Sequence, residues 1–172
     1  MENENTQFEI KKSKKDNAKE WIISIIVSLI IVALLKIFII GFAVVDGPSM
    51  ENTIQDGDRV FYAKMVKPKK DDIVIVKTKD GTKIIKRVIG LGGDHIEIKD
   101  GTLYVNGKKK TEKYIKEPMV EENYDITVPK GEIFVMGDNR NVSADSRMFG
   151  TFNDDEYLGK VVLEVFHQFK AY

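Results

Sequence analysis

The chain has no cysteine, two histidines, four prolines and one tryptophan in 172 residues. Without cysteine there is no disulfide, no thiolate nucleophile and no cysteine-held metal. The redox state of the compartment is therefore indifferent to the fold, and the absence does not locate the protein. His95 and His167 alone do not make a histidine metal site. Neither charge sign is in excess: Lys+Arg and Asp+Glu each number 27 and the formal net charge is zero. The basic surplus of a nucleic-acid binder is missing. Internal repeats and low-complexity segments are absent too. What is present is one long apolar run, a series of short alternating segments, and three stretches in which polar groups and turn formers crowd together.

Residues 1–20 are polar, with Lys11, Lys12, Lys14, Lys15 and Lys19 in the second half. They read as a mobile tail that turns helical near its end. Residues 21–45 are apolar apart from Ser24, Ser28, Gly41 and Lys36. About 20 residues of helix cross a bilayer's hydrocarbon core, so the run is long enough to span. Trp21 suits an interface, and the lysines before the run outnumber the basic residues just after it. That asymmetry predicts a cytoplasmic tail at 1–20, a single transmembrane anchor at 21–45 and an extracytoplasmic domain at 46–172. Lys36 either snorkels to the outer interface, or the span ends near Leu35 and residues 37–45 lie at the surface or begin the folded domain. A cleavable signal peptide is the competing reading. The run exceeds an h-region of about 7–15 residues, and no clean small-x-small site follows it.

Beyond Met50 the pattern alternates. Strands are expected at 59–62, 72–76, 83–89, 95–98, 103–105, 126–128, 132–136 and 160–166. Asp80-Gly81, Asp100-Gly101 and Asn106-Gly107 mark the turns, and Asp-Gly between alternating segments is a strong hairpin signal. Residues 108–125 are charged and weakly patterned and read as a solvated loop or excursion. The expected architecture is a mainly β, antiparallel domain behind one transmembrane helix.

Three stretches carry candidate chemistry. In Gly47-Pro48-Ser49-Met50, proline fixes its own φ and glycine permits unusual angles, which can hold a serine on a rigid exposed turn; alone, the stretch reads as an ordinary turn. A serine hydroxyl needs a proton acceptor. His95, alternating with Ile96 and Ile98, points to solvent, and His167 sits among Phe166 and Phe169 near the C-terminus; both read as structural. Lysine is the remaining base. Lys86 and Arg87 are neighbours on a strand and face opposite sides, so one of them faces the more buried side unless both faces are exposed. Lowering a lysine pKa from about 10.4 to about 8 takes roughly 3 kcal/mol of desolvation, within reach of one buried side chain. Arginine stays protonated and cannot serve. Taken alone, Lys86 reads as a snorkelling strand lysine like Lys77 or Lys83. The third stretch, residues 137–150, is dense in hydrogen-bonding groups. Its Asp138/Arg140 and Asp145/Arg147 spacings suit buried pairing.

Together these stretches resemble the signature boxes of type I signal peptidases. The carriers are Gly47-Pro48-Ser49-Met50, Asp56-Gly57-Asp58-Arg59-Val60, Ile85-Lys86-Arg87-Val88-Ile89-Gly90 with Gly93-Asp94, Gly137-Asp138-Asn139-Arg140, Ser143-Ala144-Asp145-Ser146-Arg147 and Phe149-Gly150. Order and spacing match from about Trp21 to the C-terminus, and the compact length with one anchor is similar to the Gram-positive form. The resemblance implies a membrane-bound serine endopeptidase that removes signal peptides from secretory preproteins after a small-x-small sequence, with no cofactor or metal. Ser49 would be the nucleophile and Lys86 the general base, a variant of the Ser-His-Asp logic. Ser143 matches a hydroxyl that orients the lysine amine, Asp145 and Arg147 a supporting pair, and Met50 a substrate-contacting position; the apolar residues there would dip into the bilayer interface. The Ser49 N–H would hold part of the oxyanion. Gly47 stands where some relatives carry a serine donor, Asn52 where proline is usual, and Gly92 where proline usually precedes Gly-Asp. Self-cleaving repressors of the SOS response share a related fold and a Ser-Lys pair, but are soluble and carry a DNA-binding domain that this sequence lacks. A catalytically silent, membrane-anchored binding protein is the rival from another class; against it, Ser49 and Lys86 are both kept.

Overall fold

The computed structural model describes residues 2–120 and 123–165, the side chains of 2–17, 36, 37, 164 and 165 excepted. His167, Phe166 and the side chain of Lys36 thus lie outside the described residues. The elements in order are α1 (Glu2–Ile39), β1 (Ile40–Val44), β2 (Arg59–Ala63), β3 (Ile73–Lys77), β4 (Lys83–Leu91), β5 (His95–Lys99), β6 (Thr102–Val105), β7 (Lys108–Lys109), β8 (Tyr124–Thr127), β9 (Ile133–Met136), α2 (Ser146–Phe149) and β10 (Tyr157–Val165). The chain divides into two compact units, Met1–Ile39 and Ile40–Tyr172.

The first unit is the helix alone. Its stretch Ala18–Leu35 is long and apolar enough to cross a membrane, and the large residues along it are exposed, Trp21 by 73%. The helix already runs through residues 2–17, earlier than a tail turning helical only near its end. It stops at Ile39, and Ile40–Val44 is a strand. The apolar run 21–45 is therefore shared between helix and sheet, and the folded unit begins before Val45. Period-free apolarity fits either state, and the alternating exposure along Ile40–Val44 becomes visible only once β2 pairs with it.

The second unit is built of two antiparallel sheets, one of six strands in the order β1-β2-β10-β3-β4-β9 and one of four in the order β7-β6-β5-β8. The turns at Asp100-Gly101 and Asn106-Gly107 hold both residues at positive φ (49° and 71°, 53° and 72°), the geometry that matches strand twist. Ile89, Phe134 and Met136 of the larger sheet pack with Ile96, Ile98 and Leu103 of the smaller, all essentially solvent-free. That shared apolar layer fixes β4 and β9, and the polar site lies midway along β4 and just past the end of β9. Residues 108–125, expected as a solvated excursion, begin with β7 and end in β8. Between them Glu112 is buried, its side chain 6% exposed. His95 is part-exposed and meets Asp125 across the β5–β8 pair at 3.1 Å.

Gly92 has a local reason. A Cβ there would lie 2.8 Å from Pro129 O and 2.9 Å from Gly131 N. The turn before β9 lies against it, and backbone atoms do not move aside cheaply. Gly92→Ala is expected to lower stability by about 1–3 kcal/mol, read as an earlier unfolding transition of the full chain in detergent; an unchanged midpoint means the 129–131 turn yields.

Candidate active site

Ser49 sits just past β1, on a turn that its own backbone ties down. Gly47 adopts φ 91° and its N–H donates to Asp56 Oδ1 at 2.8 Å. The Glu51 N–H closes on Pro48 O at 3.0 Å and the Ile54 N–H on Met50 O at 2.9 Å. Met50 is fully buried in a core cluster with Val45, Ile54 and Val60. Its place is therefore the apolar layer under the turn, and it does not reach a bilayer interface. Asn52 has φ 86°, which proline cannot adopt and asparagine tolerates. Its departure from the usual proline is thus dictated by the backbone.

Lys86 lies midway along β4, where the strand pairs with β3 through Val74. Its side chain reaches Ser49: Nζ donates to Ser49 Oγ at 2.7 Å and to Ile85 O at 2.9 Å. Burial lowers its pKa to about 8, against the opposing pull of Asp145 and Asp138 and with a smaller push from Arg147. Lys86 and Arg87 are both buried, 3% and 8% exposed, although strand alternation alone required only one of them to be. The second burial is possible because Arg87 is paired. Its Nε and Nη2 bond Asp138 Oδ1 and Oδ2 at 2.8 and 2.6 Å, and Nη1 bonds Asp71 O at 2.8 Å.

The loop after β9 closes the site. The Asn139 N–H donates to Ser49 O at 3.1 Å and its side-chain amide to Pro48 O at 3.1 Å. Asp145 accepts the Gly137 N–H at 3.0 Å and caps α2. Arg147 grips Asp145 through Nε and Nη2, both at 2.9 Å. The Asp145/Arg147 spacing thus yields a pair. Asp138/Arg140 does not: Asp138 belongs to Arg87, and Arg140 is taken by Glu112. Ser143 Oγ is buried and, among the described residues, has no hydrogen-bond partner. It packs against Gly137, where any side chain would overlap both Ser143 and the Ser49 carbonyl. The bond from Ser143 to the lysine amine that the resemblance implies is thus absent here. The amine is held by Ser49 and the Ile85 carbonyl instead.

Beside Ser49 and Lys86 is a cavity of about 380 Å³ lined by Phe42, Val44, Ser49, Met50, Ile84 and Lys86 among others. Two strand edges border it. Among the described residues, β1 pairs only with β2, and β9 pairs β4 only from Arg87 onward. Both the outer edge of β1 and the Lys83–Lys86 edge are therefore open for a further strand.

The chain matches the family model described as signal peptidase, peptidase S26, over residues 18–166. The chain belongs to the signal peptidase I family. It is 39% identical over 168 residues to signal peptidase I P of Bacillus subtilis subsp. natto, a match covering 88% of this chain and 91% of that one. It is 36% identical over 169 residues to signal peptidase IB of Staphylococcus aureus strain N315, covering 86% and 88%. A crystal structure of a signal peptidase I from Enterococcus faecalis V583 matches with a TM-score of 0.51 at 33% identity, over 56% of this chain and 98% of that one. Membership of this family makes the chain a serine endopeptidase acting on signal peptides of preproteins.

Around the core of this signal peptidase site stand residues that the sequence did not single out: Thr53, which bonds Asp138, and Glu112 and Tyr114. The one available signal was Tyr114, an aromatic inside a charged stretch and so a candidate cation platform.

Burying the Lys86 ammonium destabilises the fold by about 3 kcal/mol at neutral pH. Its folded pKa lies below its unfolded one, so stability rises as pH climbs from about 8 to the unfolded value. Lys86→Met is expected to be inactive but more stable than the unmutated chain at pH 7, with the gain shrinking above pH 8. Paired unfolding curves across that window check it; a gain that does not change with pH contradicts it.

Proposed function

We propose that this signal peptidase is anchored in the membrane by α1 and cuts preproteins after a small-x-small motif with a Ser49–Lys86 dyad. The 2.7 Å contact between Lys86 Nζ and Ser49 Oγ carries the reading. With a pKa of about 8, the amine is neutral in a usable fraction of molecules near physiological pH. An extended substrate segment adds between the edge of β1 and residues 83–86, the β-augmentation mode. Its scissile carbonyl then lies beside Ser49. Ser49 Oγ forms a bond to the carbonyl carbon while its proton passes to Lys86 Nζ. The tetrahedral oxyanion takes the Ser49 N–H, and Gly47 contributes no side-chain donor. As the C–N bond breaks, Lys86 returns the proton to the leaving amine, which is the new N-terminus of the mature protein. Water then attacks the ester, Lys86 takes its proton, and Ser49 leaves with that proton as the signal peptide acid departs.

Asp145 with Arg147, and Asp138 with Arg87, hold the loop and the strand that face each other across the dyad. Ser143 fills the space behind Gly137. The lysines before Ala18–Leu35 favour a cytoplasmic N-terminus, with the catalytic unit on the outer face of the cell membrane. Tethering enzyme and signal peptide to one bilayer raises their effective concentration.

Cleavage of a preprotein by the detergent-solubilised chain tests the reading. Ser49→Ala is expected to leave no cleavage, and Lys86→Ala to slow it by about 10²–10⁴-fold. Comparable rates for Lys86→Ala and the unmutated chain would remove Lys86 as base. In the unmutated chain kcat/KM should rise with pH through a midpoint near 8, because only the neutral amine accepts the serine proton; a rate that does not change across that window would remove Lys86 as the titrating base.

A further inference from the structure

Residues 110–120 carry little regular structure, yet they are bonded to both halves of the site. Asn52 Nδ2, beside the nucleophile turn, donates to the carbonyls of Tyr114 and Ile115 at 3.3 and 3.4 Å. The Lys116 N–H donates to Asp138 O at 3.1 Å. Asn141 accepts the Val120 N–H at 2.9 Å and donates to Pro118 O at 3.0 Å. Inside this strap, Glu112 takes the Arg140 guanidinium at both prongs, Oε2 at 2.7 Å from Nη1 and Oε1 on Nη2. The two side chains are 6% and 0% exposed. Tyr114 OH donates to Glu112 Oε1 at 2.8 Å. Its ring lies under Arg87, Cζ to centroid 4.0 Å, with Arg140 Cζ at 5.9 Å.

A buried guanidinium needs a carboxylate, and breaking such a pair leaves an uncompensated charge. Asp138 and Arg140 stand at the spacing at which Asp145 and Arg147 do pair. Arg87 comes from β4 to the same carboxylate. One carboxylate facing two arginines would leave the pairing degenerate. Glu112 is the second carboxylate. With Arg140 satisfied, both oxygens of Asp138 are left for Arg87, Thr53 adding one bond. Arg87 follows Lys86 directly on β4, so clamping one fixes the backbone from which the other reaches Ser49.

We propose that Glu112, oriented by Tyr114, is a positioning residue. It holds Arg140 so that Asp138 pairs with Arg87, and through Arg87 it sets Lys86 against Ser49. The catalytic consequence rests on the Ser–Lys reading above; the allocation of partners does not.

The test uses the full chain in detergent, with steady-state cleavage of a preprotein and the NMR signal of the Arg87 Nε–H, assigned by its loss in Arg87→Lys. Glu112→Gln is expected to lower kcat about tenfold or more with KM within about twofold, as expected for a misplaced reacting group, and to shift or broaden the Arg87 signal. Glu112→Asp recovers part of the rate. The double variant E112Q/R140Q cuts faster than E112Q, because the competing cation is gone. Tyr114→Phe keeps the ring and every charge; it gives a smaller fall in kcat of the same kind and serves should Glu112→Gln fail to fold. An unmoved Arg87 signal in Glu112→Gln overturns the proposal, as does a double variant no faster than the single, or a loss confined to KM. An unmutated chain that cuts nothing in this assay counts against the Ser–Lys function, while the Arg87 signal still decides the allocation.

Discussion

The rest of the site depends on keeping one lysine amine dry. Removing the Lys86 ammonium from water is what lowers its pKa to about 8, and without that shift a strand lysine is a cation with no lone pair to offer. The carboxylates that give the neighbourhood its rigidity work against this, since Asp145 and Asp138 both favour the charged lysine. Each carboxylate is therefore gripped by an arginine, Arg147 on one and Arg87 on the other. The pairs leave hydrogen-bonded frames behind while muting the fields that would recharge the amine. Such a balance tolerates little error, because an unpaired member of either pair becomes a bare charge beside the amine.

Three segments far apart in sequence meet at this amine: the turn after β1, the middle of β4 and the loop after β9. The sheet brings them together. β3, β4 and β9 are neighbours, and the apolar faces of β4 and β9 are locked against the smaller sheet by Ile89, Phe134 and Met136. The polar ends then have little freedom left. Asn139 links the loop to the nucleophile turn through two backbone oxygens, and Gly137 lets the two backbones approach closely. Sites held on strand ends with a bonded shell behind them keep their geometry better than sites on loops alone.

Much of this was legible in the chain itself. Alternation and the Asp-Gly turns located the strands, and the serine and the lysine, each ordinary alone, gained weight from the ordered set of stretches that resembles the signal peptidase boxes. Other parts were hidden for physical reasons. Whether residues 37–45 end the span or begin the folded unit stayed open, because continuous apolarity does not distinguish the end of a span from the start of a sheet. Met50 entered by resemblance as a substrate-contacting position; its side chain belongs to a core cluster and lines the cavity beside Ser49 and Lys86. The regular Asp138/Arg140 spacing suggested a local pair, whereas tertiary structure supplied each with a better partner from elsewhere, Arg87 and Glu112. Residues 108–125 read as solvated because their charges show no period. Charge in a loop is silent about burial until its counter-ions are known, and those lie more than twenty residues away. Ser143 entered by resemblance, and its hydroxyl lies beside the site without a bond to the amine.

The cavity between β1 and residues 83–86 is bounded by two unpaired strand edges. Edges of this kind bind main chain first, since their donors and acceptors repeat at the spacing of an extended peptide. A chain that is helical or already packed has its own amides occupied and offers nothing to bind. On the proposed function, the cleft therefore selects on conformation before it selects on side chains: it admits polypeptide that has not yet folded at the point of cutting, and a substrate that folds early there protects itself.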